Sequence, residues 1–455
     1  MTDIYAPIVR KWIYPITQEM QKRNFFKMIV EADRNQYLSQ DELRKLQFQK
    51  LIPLLHHSYK YVPYYHDVFE QIGLKPEDIR NWDDFQQLPI LTKELIRENR
   101  ERLLSKKLRS PVFTVSTSGS TGKPMRFNMS QIHTGANIVS RIRALRWWGI
   151  NLGDREMQLS SASGLFVPGI KSTFNVRIFR PMKEKMLNRR LISALDMTEK
   201  SMGNYWHITK QFNPKIIYGF PSAIYVYAKY LKDHGYDCSK LGLKAVVPTG
   251  EILFDWQREM IEEVFRKPVV DEYGSVEAGI IAYGHPCGAM HTMDDYIIVE
   301  LIKSNPQDEF GEVVVTPLEN WGSPLIRYNL DDLAVPSDSP SACPLRLGFS
   351  KIERIIGRQY GLIRLSNGRI THGHIFVQII QYLKSIEQFQ VIQKEPDLFE
   401  IILVSWKENN LDDEKYFIRT KLIEHLGPVR IDFRRVSSIP KEPSGKFRFI
   451  RSEVN

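Results

Sequence analysis

The chain predicts an α/β protein: a large N-terminal α/β domain with parallel sheets and a β-rich subdomain, then a small, mobile C-terminal α+β domain. Three observations carry that expectation. Between Ile216 and Val270, short β-prone runs alternate with helical ones, the pattern of parallel strands joined by helical crossovers. From Ile297 the texture turns to short strand-like runs punctuated by Gly, Asn and Pro. After the Gly357-Arg358 break, roughly a hundred residues of mixed helix and strand follow, enough for a domain. The boundary is placed there, giving domains 1–358 and 359–455.

Composition narrows the function classes. With 455 residues, 42% apolar and 25% charged, the chain has an ordinary globular balance. No apolar run approaches the ~20 residues that span a bilayer. Met1 to Arg10 has no uninterrupted apolar stretch of the secretory kind, so a cytoplasmic location is the default expectation. Cys238, Cys287 and Cys343 make no disulfide framework. The net charge of +10 favours anionic ligands. Basic residues are interspersed with acids except in the tail, where Arg430, Arg434, Arg435, Lys446, Arg448 and Arg451 cluster. No nucleic-acid-binding motif accompanies them, and nucleic acid is not an expected partner.

In chain order, residues 20–60 read as helical, with Leu51, Leu54 and Leu55 at i, i+3, i+4 spacing. Tyr61-Val-Pro-Tyr-Tyr65 is a Pro-marked bend, and Leu88-Pro-Ile-Leu-Thr-Lys93 a short buried run before a helix start. Strand-like Val112–Val115 and Met125–Phe127 then flank a loop of Thr117, Ser118, Gly119, Ser120, Thr121, Gly122 and Lys123, closed by Pro124. Glycines let the backbone aim its N–H groups at one point, and the hydroxyls and Lys123 add donors. That is chemistry for holding phosphate oxygens. Taken alone, the loop would read as a solvated hairpin turn. It is no Walker A: Thr117 stands where the first Gly belongs, and Pro124 follows the lysine.

Gln131 to Trp148 reads as a helix, broken by Gly149–Asp154 before a strand at Met157–Leu159. Ser160 to Gly169 reads as a loop, and the 160–220 region is where a substrate pocket is expected. Ile216–Tyr218 is a strand, and Ser222 a helix N-cap with Ile224, Tyr227, Ala228 and Leu231 on one face. Leu243–Val247 is a buried strand ending in Thr249-Gly250-Glu251. A helix bearing Trp256, Met260 and Val264 stops at Pro268 and leads into Tyr273-Gly274-Ser275-Val276-Glu277. Parallel sheets bind ligands beyond the carboxyl ends of their strands, where these two segments fall.

Ile297–Leu301, Glu312–Thr316 and Leu325–Tyr328 are strand candidates ahead of Arg327-Tyr-Asn-Leu-Asp-Asp332. Beyond Arg358, a helix (His374 to Leu383), strand (Phe399 to Val404), helix (Asp412 to Leu426) and strand (Arg430 to Val436) precede Pro443-Ser-Gly-Lys446.

Together these segments, in this order, resemble the adenylate-forming enzymes: acyl-CoA synthetases, peptide-synthetase adenylation domains and luciferases. Within them, the TGKP ending and the two N-terminal segments are most similar to the phenylacetate–coenzyme A ligase-like branch, which includes ligase-like proteins of capsule biosynthesis. The resemblance implies a reaction. A carboxylic acid attacks Mg·ATP, giving acyl-AMP and pyrophosphate, and a thiol of coenzyme A or carrier phosphopantetheine takes the acyl group. The partners implied are the acid, ATP and the thiol; a carrier protein and a homodimer are left open.

The resemblance also implies roles. Thr117 to Lys123 hold the phosphates, and Gly250-Glu251 packs along the adenine. Tyr273, with Gly274 and Ser275, lies against the adenine, while Glu277 holds Mg²⁺ as a catalytic ligand. Asp332 accepts from the ribose hydroxyls, and Arg358 reaches the nucleotide. Lys446, brought in by a small domain turning about Gln359, neutralises charge that builds during adenylation. Three positions depart from the family pattern: Met125 replaces a lysine, Val276 a threonine, and Asp331 a glycine.

His285, Cys287, His291 and Cys343 have the residue types of a zinc site, but ordinary loop residues are the preferred reading. Two rivals to the ligase remain. One is a phosphate-loop ATPase, against which the Lys-Pro ending argues. The other is a non-catalytic or weakly active nucleotide-binding assembly protein that has kept the fold.

Overall fold

The computed structural model describes residues 3–116, 126–160, 182–194, 196–305, 307–337, 347–358, 362–366, 370–372, 376, 379–380, 383, 385–405, 411–440 and 449–454. The expected α/β class is borne out. Among the described residues no helix is long and apolar enough to cross a membrane.

The helical N-terminus divides where one helical stretch was expected. Helix α1 (Phe25–Asn35) and α2 (Gln40–Tyr61) are separated because Ser39 caps the second. Its side chain accepts from Glu42 N while Glu42 accepts from Ser39 N, a reciprocal pair that satisfies two orphan donors. Leu51, Leu54 and Leu55 are fully buried, as their spacing predicts. The bend at Val62 is followed by α3 (Pro63–Ile72), and Thr92 caps α4 (Lys93–Glu98). Strands β1 (Val112–Ser116) and β2 (Arg126–Ser130) pair antiparallel, with Ser116 opposite Arg126.

After α5 (Gln131–Trp147) comes a four-stranded parallel sheet. Its strands are β3 (Glu156–Ser160), β4 (Arg189–Ser193), β5 (Ile216–Gly219) and β6 (Ala245–Pro248), in the order β4-β3-β5-β6. Helices α6 (Glu199–Phe212), α7 (Pro221–Asp233) and α8 (Asp255–Phe265) connect and cover them. All four residues of β6 are buried, the mark of a strand covered on both faces. Gly219 is required here: a Cβ on it would lie 2.2 Å from the Leu159 carbonyl oxygen. Ser222 does not cap α7. Phe220 occupies the cap, and Pro221 fills the first turn, where its missing N–H costs nothing.

A seven-stranded antiparallel sheet forms the β-rich part, in the order β10-β11-β12-β13-β9-β8-β7. These are β7 (Glu272–Ser275), β8 (Gly279–Gly284), β9 (Met290–Thr292), β10 (Ile297–Ile302), β11 (Gly311–Pro317), β12 (Tyr328–Pro336) and β13 (Lys351–Arg358). Expected strand Leu325–Tyr328 is corrected. The strand starts at Tyr328 and carries Asn329-Leu-Asp-Asp332 inside it. Arg327 delays it by taking a left-handed conformation (φ +50°). Its guanidinium holds Glu300 at 3.0 Å and donates to the carbonyls of Gln86 and Leu88. Two parallel bridges, Val246 to Val269 and Thr249 to Glu272, join this sheet to the end of β6.

The C-terminal part has its own layers. A hairpin of β14 (Leu362–Arg364) and β15 (Ile370–His372) precedes a four-stranded sheet ordered β18-β17-β16-β19. Its strands are β16 (Ile386–Glu395), β17 (Leu398–Ser405), β18 (Arg430–Arg435) and β19 (Ile450–Ser452). Helix α9 (Asp412–Leu426) buries Ile418, Leu422 and Leu426 against Phe399, Ile401 and Leu403. The expected helix over 374–383 lies largely outside the described residues.

Candidate functional site

The carboxyl end of β6, strand β7 and the start of β12 meet at one place. Glu272 is the brace between them. Its Oε1 accepts from Tyr218 Oη at 2.6 Å and from Thr249 Oγ1 at 2.9 Å, tying β5, the Thr249-Gly250-Glu251 segment and β7 together. Arg141 of α5 stands 3.6 Å from Glu272 Oε2 and donates to Glu156 at 2.9 Å. Burial alone would raise the pKa of Glu156, but Arg141 and Arg189 outweigh it and hold the carboxylate at about 2. The same burial raises Tyr218 far above its ordinary value, so it stays a hydroxyl donor.

On that brace sits Tyr273, with 9% of its surface exposed. Its hydroxyl donates to Asp332 Oδ2 at 2.9 Å. Asp332 pairs directly opposite Arg358 in the β12–β13 ladder, which puts the Gly-Arg segment beside the aspartate. Gly274 admits no side chain, since a Cβ would lie 2.5 Å from the Gly279 carbonyl oxygen. Ser275 Oγ accepts from Ala278 N at 3.0 Å and closes the turn that carries Glu277. Glu277 is 6% exposed and accepts from Tyr328 Oη at 3.2 Å. Beside it, burial pushes His133 down to about 4, against a hydrogen bond that the ring donates to the Glu277 backbone carbonyl, so the imidazole is neutral.

Gly250 takes φ +76°, where a side chain would be strained. Glu251 accepts from Ser222 N at 3.1 Å at the first turn of α7. Asp331 resolves which aspartate faces the site. It sits at φ +57°, and its carboxylate pairs with Lys93 at 2.6 Å, away from Tyr273. A left-handed residue at this point accounts for a glycine there in the pattern the chain resembles.

Of the residues singled out in the sequence, Gly250, Glu251, Tyr273, Gly274, Ser275, Glu277 and Asp332 are described; Tyr273 and Asp332 meet directly, Glu251 reaches Ser222, and Glu277 reaches Tyr328. Arg358 joins them through its backbone. Thr117, Ser118, Gly119, Ser120, Thr121, Gly122, Lys123 and Lys446 lie outside the described residues. Sequence reading missed Glu272, Tyr218, Tyr328 and Arg141, and assigned no role to Lys93. A carboxylate next to Tyr273, in a run that is otherwise strand-like, was the available signal for Glu272.

A second cluster lies at the turn between β8 and β9 and on β9 itself. The ligand atoms of His285, Cys287 and His291 lie within 4.8 Å of one another, with Cys287 Sγ 3.5 Å from His291 Nε2. Trp147 packs its edge against both imidazoles, at 5.3 and 6.1 Å. Burial pushes both imidazoles to about 4, leaving them neutral, the form that ligates a metal. Two nitrogens and a thiol are a zinc donor set short of one ligand. The three ligand atoms face one point, and Cys343 lies outside the described residues.

The chain is similar to known proteins in sequence and in fold. The CapK C-terminal domain family matches residues 362–453. Protein CapK of Staphylococcus aureus is 25% identical over 419 residues, covering 91% of this chain and 90% of its own. Phenylacetate-coenzyme A ligase of Pseudomonas putida is 26% identical over 369 residues, covering 78% and 79%. Among solved structures, 2-hydroxyisobutyryl-CoA ligase in its postadenylation state, with R3-HIB-AMP, superimposes with a TM-score of 0.73 at 17% identity. It covers 93% of this chain and 92% of that one. The resemblance read from the motifs is therefore borne out, and the fold is that of the adenylate-forming CoA ligases.

Proposed function

We propose that the chain is an AMP-producing acid–thiol ligase, one that converts a carboxylic acid and ATP to acyl-AMP and pyrophosphate and then transfers the acyl group to the thiol of coenzyme A or a carrier phosphopantetheine. The observation that carries this reading is the Tyr273–Asp332 hydrogen bond. It joins two motifs with nucleotide-binding roles in the resembled enzymes, at the carboxyl end of the parallel strands, where ligands of such sheets bind. The relatives bearing the name phenylacetate-coenzyme A ligase support the same activity for most of the chain's length.

In this mechanism Asp332 accepts from the ribose hydroxyls, and Tyr273 holds the carboxylate in place for them. The adenine lies along Gly250-Glu251 and Tyr273. Arg358, opposite Asp332 on β13, reaches the nucleotide. The hydroxyls and lysine of Thr117 to Lys123 hold the phosphates, and Lys446 neutralises the charge that grows as pyrophosphate leaves. Glu277 supplies a hard oxygen suited to magnesium, which would screen the phosphates. No nucleophilic side chain is needed, because the substrates bring the nucleophiles.

The same proposal divides the chain into domains 1–358 and 359–455. The separate C-terminal sheet, its own apolar cluster and a family match that begins at residue 362 support that division. A cytoplasmic setting and a place in capsule polysaccharide biosynthesis belong to the proposal too. His285, Cys287 and His291 are assigned to a structural zinc.

The test is acid-dependent exchange of labelled pyrophosphate into ATP across a panel of aromatic, fatty, amino and sugar acids. Exchange with one class, and AMP as the product once a thiol is added, is the expected result. Phosphate release instead would indicate an ATPase. ATP binding with neither exchange nor AMP would indicate the non-catalytic assembly protein.

A further inference from the structure

The N-terminal helices carry apolar side chains on a face that the fold does not cover. Of the sixteen large apolar side chains exposed among the described residues, eight lie between Ile4 and Tyr37. Ile4, Ile8, Trp12, Ile16 and Met20 recur every four residues, with Trp12 63% and Met20 79% exposed. They follow a helical stretch from Ala6 to Met20 that widens into a π turn over Val9–Ile13, where Tyr14 N donates to Val9 O. A wider turn rotates less per residue, so positions four apart keep to one side. Phe26 and Val30, one turn apart on α1, and Tyr37 beyond it add to the exposed set. The opposite side is packed: Val9, Tyr14, Phe25 and Met28 are buried in one cluster with Val139 and Ile142 of α5. Helices that are apolar all round have partners on every side, and here only the inner side meets one within the described chain.

The charges around that face have one sign. Between Asp3 and Tyr37 the exposed charged side chains are Lys11, Lys22, Lys27 and Arg34. The acids of the same stretch are half-buried and engaged. Asp3 accepts from Tyr5 N and Ala6 N and pairs with Arg155. Glu19 accepts from Phe26 N at 2.8 Å, Asp33 pairs with Arg146 at 2.7 Å, and Glu31 lies 3.8 Å from Lys27. The pattern continues into residues 182–186, held beside the first helix by Tyr5 Oη donating to Met186 O at 2.9 Å. There Met182, Lys183, Lys185 and Met186 are exposed.

A two-fold contact with a second copy would set these lysines against themselves. A bilayer of anionic lipid answers both features at once: its headgroup boundary takes apolar side chains, and its phosphates take ammonium groups. We propose that this face docks the protein peripherally on an anionic phospholipid surface. Trp12, Ile16 and Phe26 enter the boundary, and Lys11, Lys22 and Lys27 reach the phosphates from beside them.

The test is co-sedimentation of the full chain with vesicles of equal parts phosphatidylglycerol and phosphatidylcholine, and with vesicles of phosphatidylcholine alone. Binding is expected to the anionic vesicles only, and to weaken as salt screens the charges. Trp12→Ser and Phe26→Ser change exposed side chains, so both should fold as wild type does, and each should weaken binding about tenfold or more. Lys11→Gln combined with Lys22→Gln should also weaken it about tenfold or more. The proposal is overturned by no binding to anionic vesicles, by equal binding to the neutral ones, or by unchanged binding in the folded variants. A dimer in solution that Trp12→Ser separates would also overturn it, by assigning the face to a second copy.

Discussion

Tyr273 donates its hydroxyl to Asp332 Oδ2 at 2.9 Å across 59 residues of sequence, and this contact links β7 to β12, which β13, β9 and β8 separate in the sheet. If Asp332 holds ribose hydroxyls, Asp332→Ala raises the KM for ATP at least tenfold in pyrophosphate exchange. Tyr273→Phe leaves the carboxylate in place with one hydrogen bond fewer, and should raise it by only a few-fold, with a stability loss of about 1 kcal/mol for the lost hydrogen bond. Equal KM values for wild type and Asp332→Ala would remove the aspartate from the nucleotide site.

Lys446→Ala should suppress exchange by two or more orders of magnitude while transfer from supplied acyl-AMP to a thiol survives. The lysine is assigned to the adenylation half-reaction alone. A parallel loss of both half-reactions would contradict that assignment.

Asp331 sits at φ +57° and pairs with Lys93. Asp331→Gly relieves the left-handed strain, about 1 kcal/mol, and gives up a partly exposed ion pair of similar or smaller worth. Urea unfolding should place it within about 1 kcal/mol of wild type. Asp331→Val keeps the strain and adds a branched side chain, so it should fall well below both.

Glu156 sets an acid limit. Its folded pKa, about 2, lies below the ordinary 4.5. Its stabilising contribution is therefore complete above pH 4.5 and is lost as pH falls towards 2. The shift corresponds to something on the order of 3 kcal/mol. Glu156→Gln should be less stable at pH 7 and show a flatter pH dependence between pH 5 and 3 in denaturant unfolding. An unchanged slope would mean that Arg141 and Arg189 do not hold the carboxylate.

The cluster of His285, Cys287 and His291 predicts close to one zinc per chain by elemental analysis. Chelation should lower the thermal midpoint by several degrees, and His291→Ala should purify without metal. A metal-free wild type of unchanged stability would return these residues to ordinary loop chemistry.

Much of this was legible in the chain. Fold class follows from periodicity, because a strand buried on both faces, such as β6, has to be a short continuous apolar run. Tyr273 and Asp332 stand in segments that their motifs singled out, and the structure brings those two side chains together. Other features were not, because they depend on groups distant in sequence. The role of Glu272 comes from Tyr218 and Thr249, which only sheet pairing brings to its carboxylate. That Asp331 turns to Lys93, 238 residues away, rather than to Tyr273 depended on a backbone angle. His285, Cys287 and His291 are close in sequence, but only the β8–β9 pairing aims their ligand atoms at one point. The sequence by itself determined which elements form and which side chains carry chemistry, since both depend on local pattern. Tertiary structure alone decided which of those side chains share charge and protons, because such coupling acts over a few ångströms of space regardless of distance along the chain.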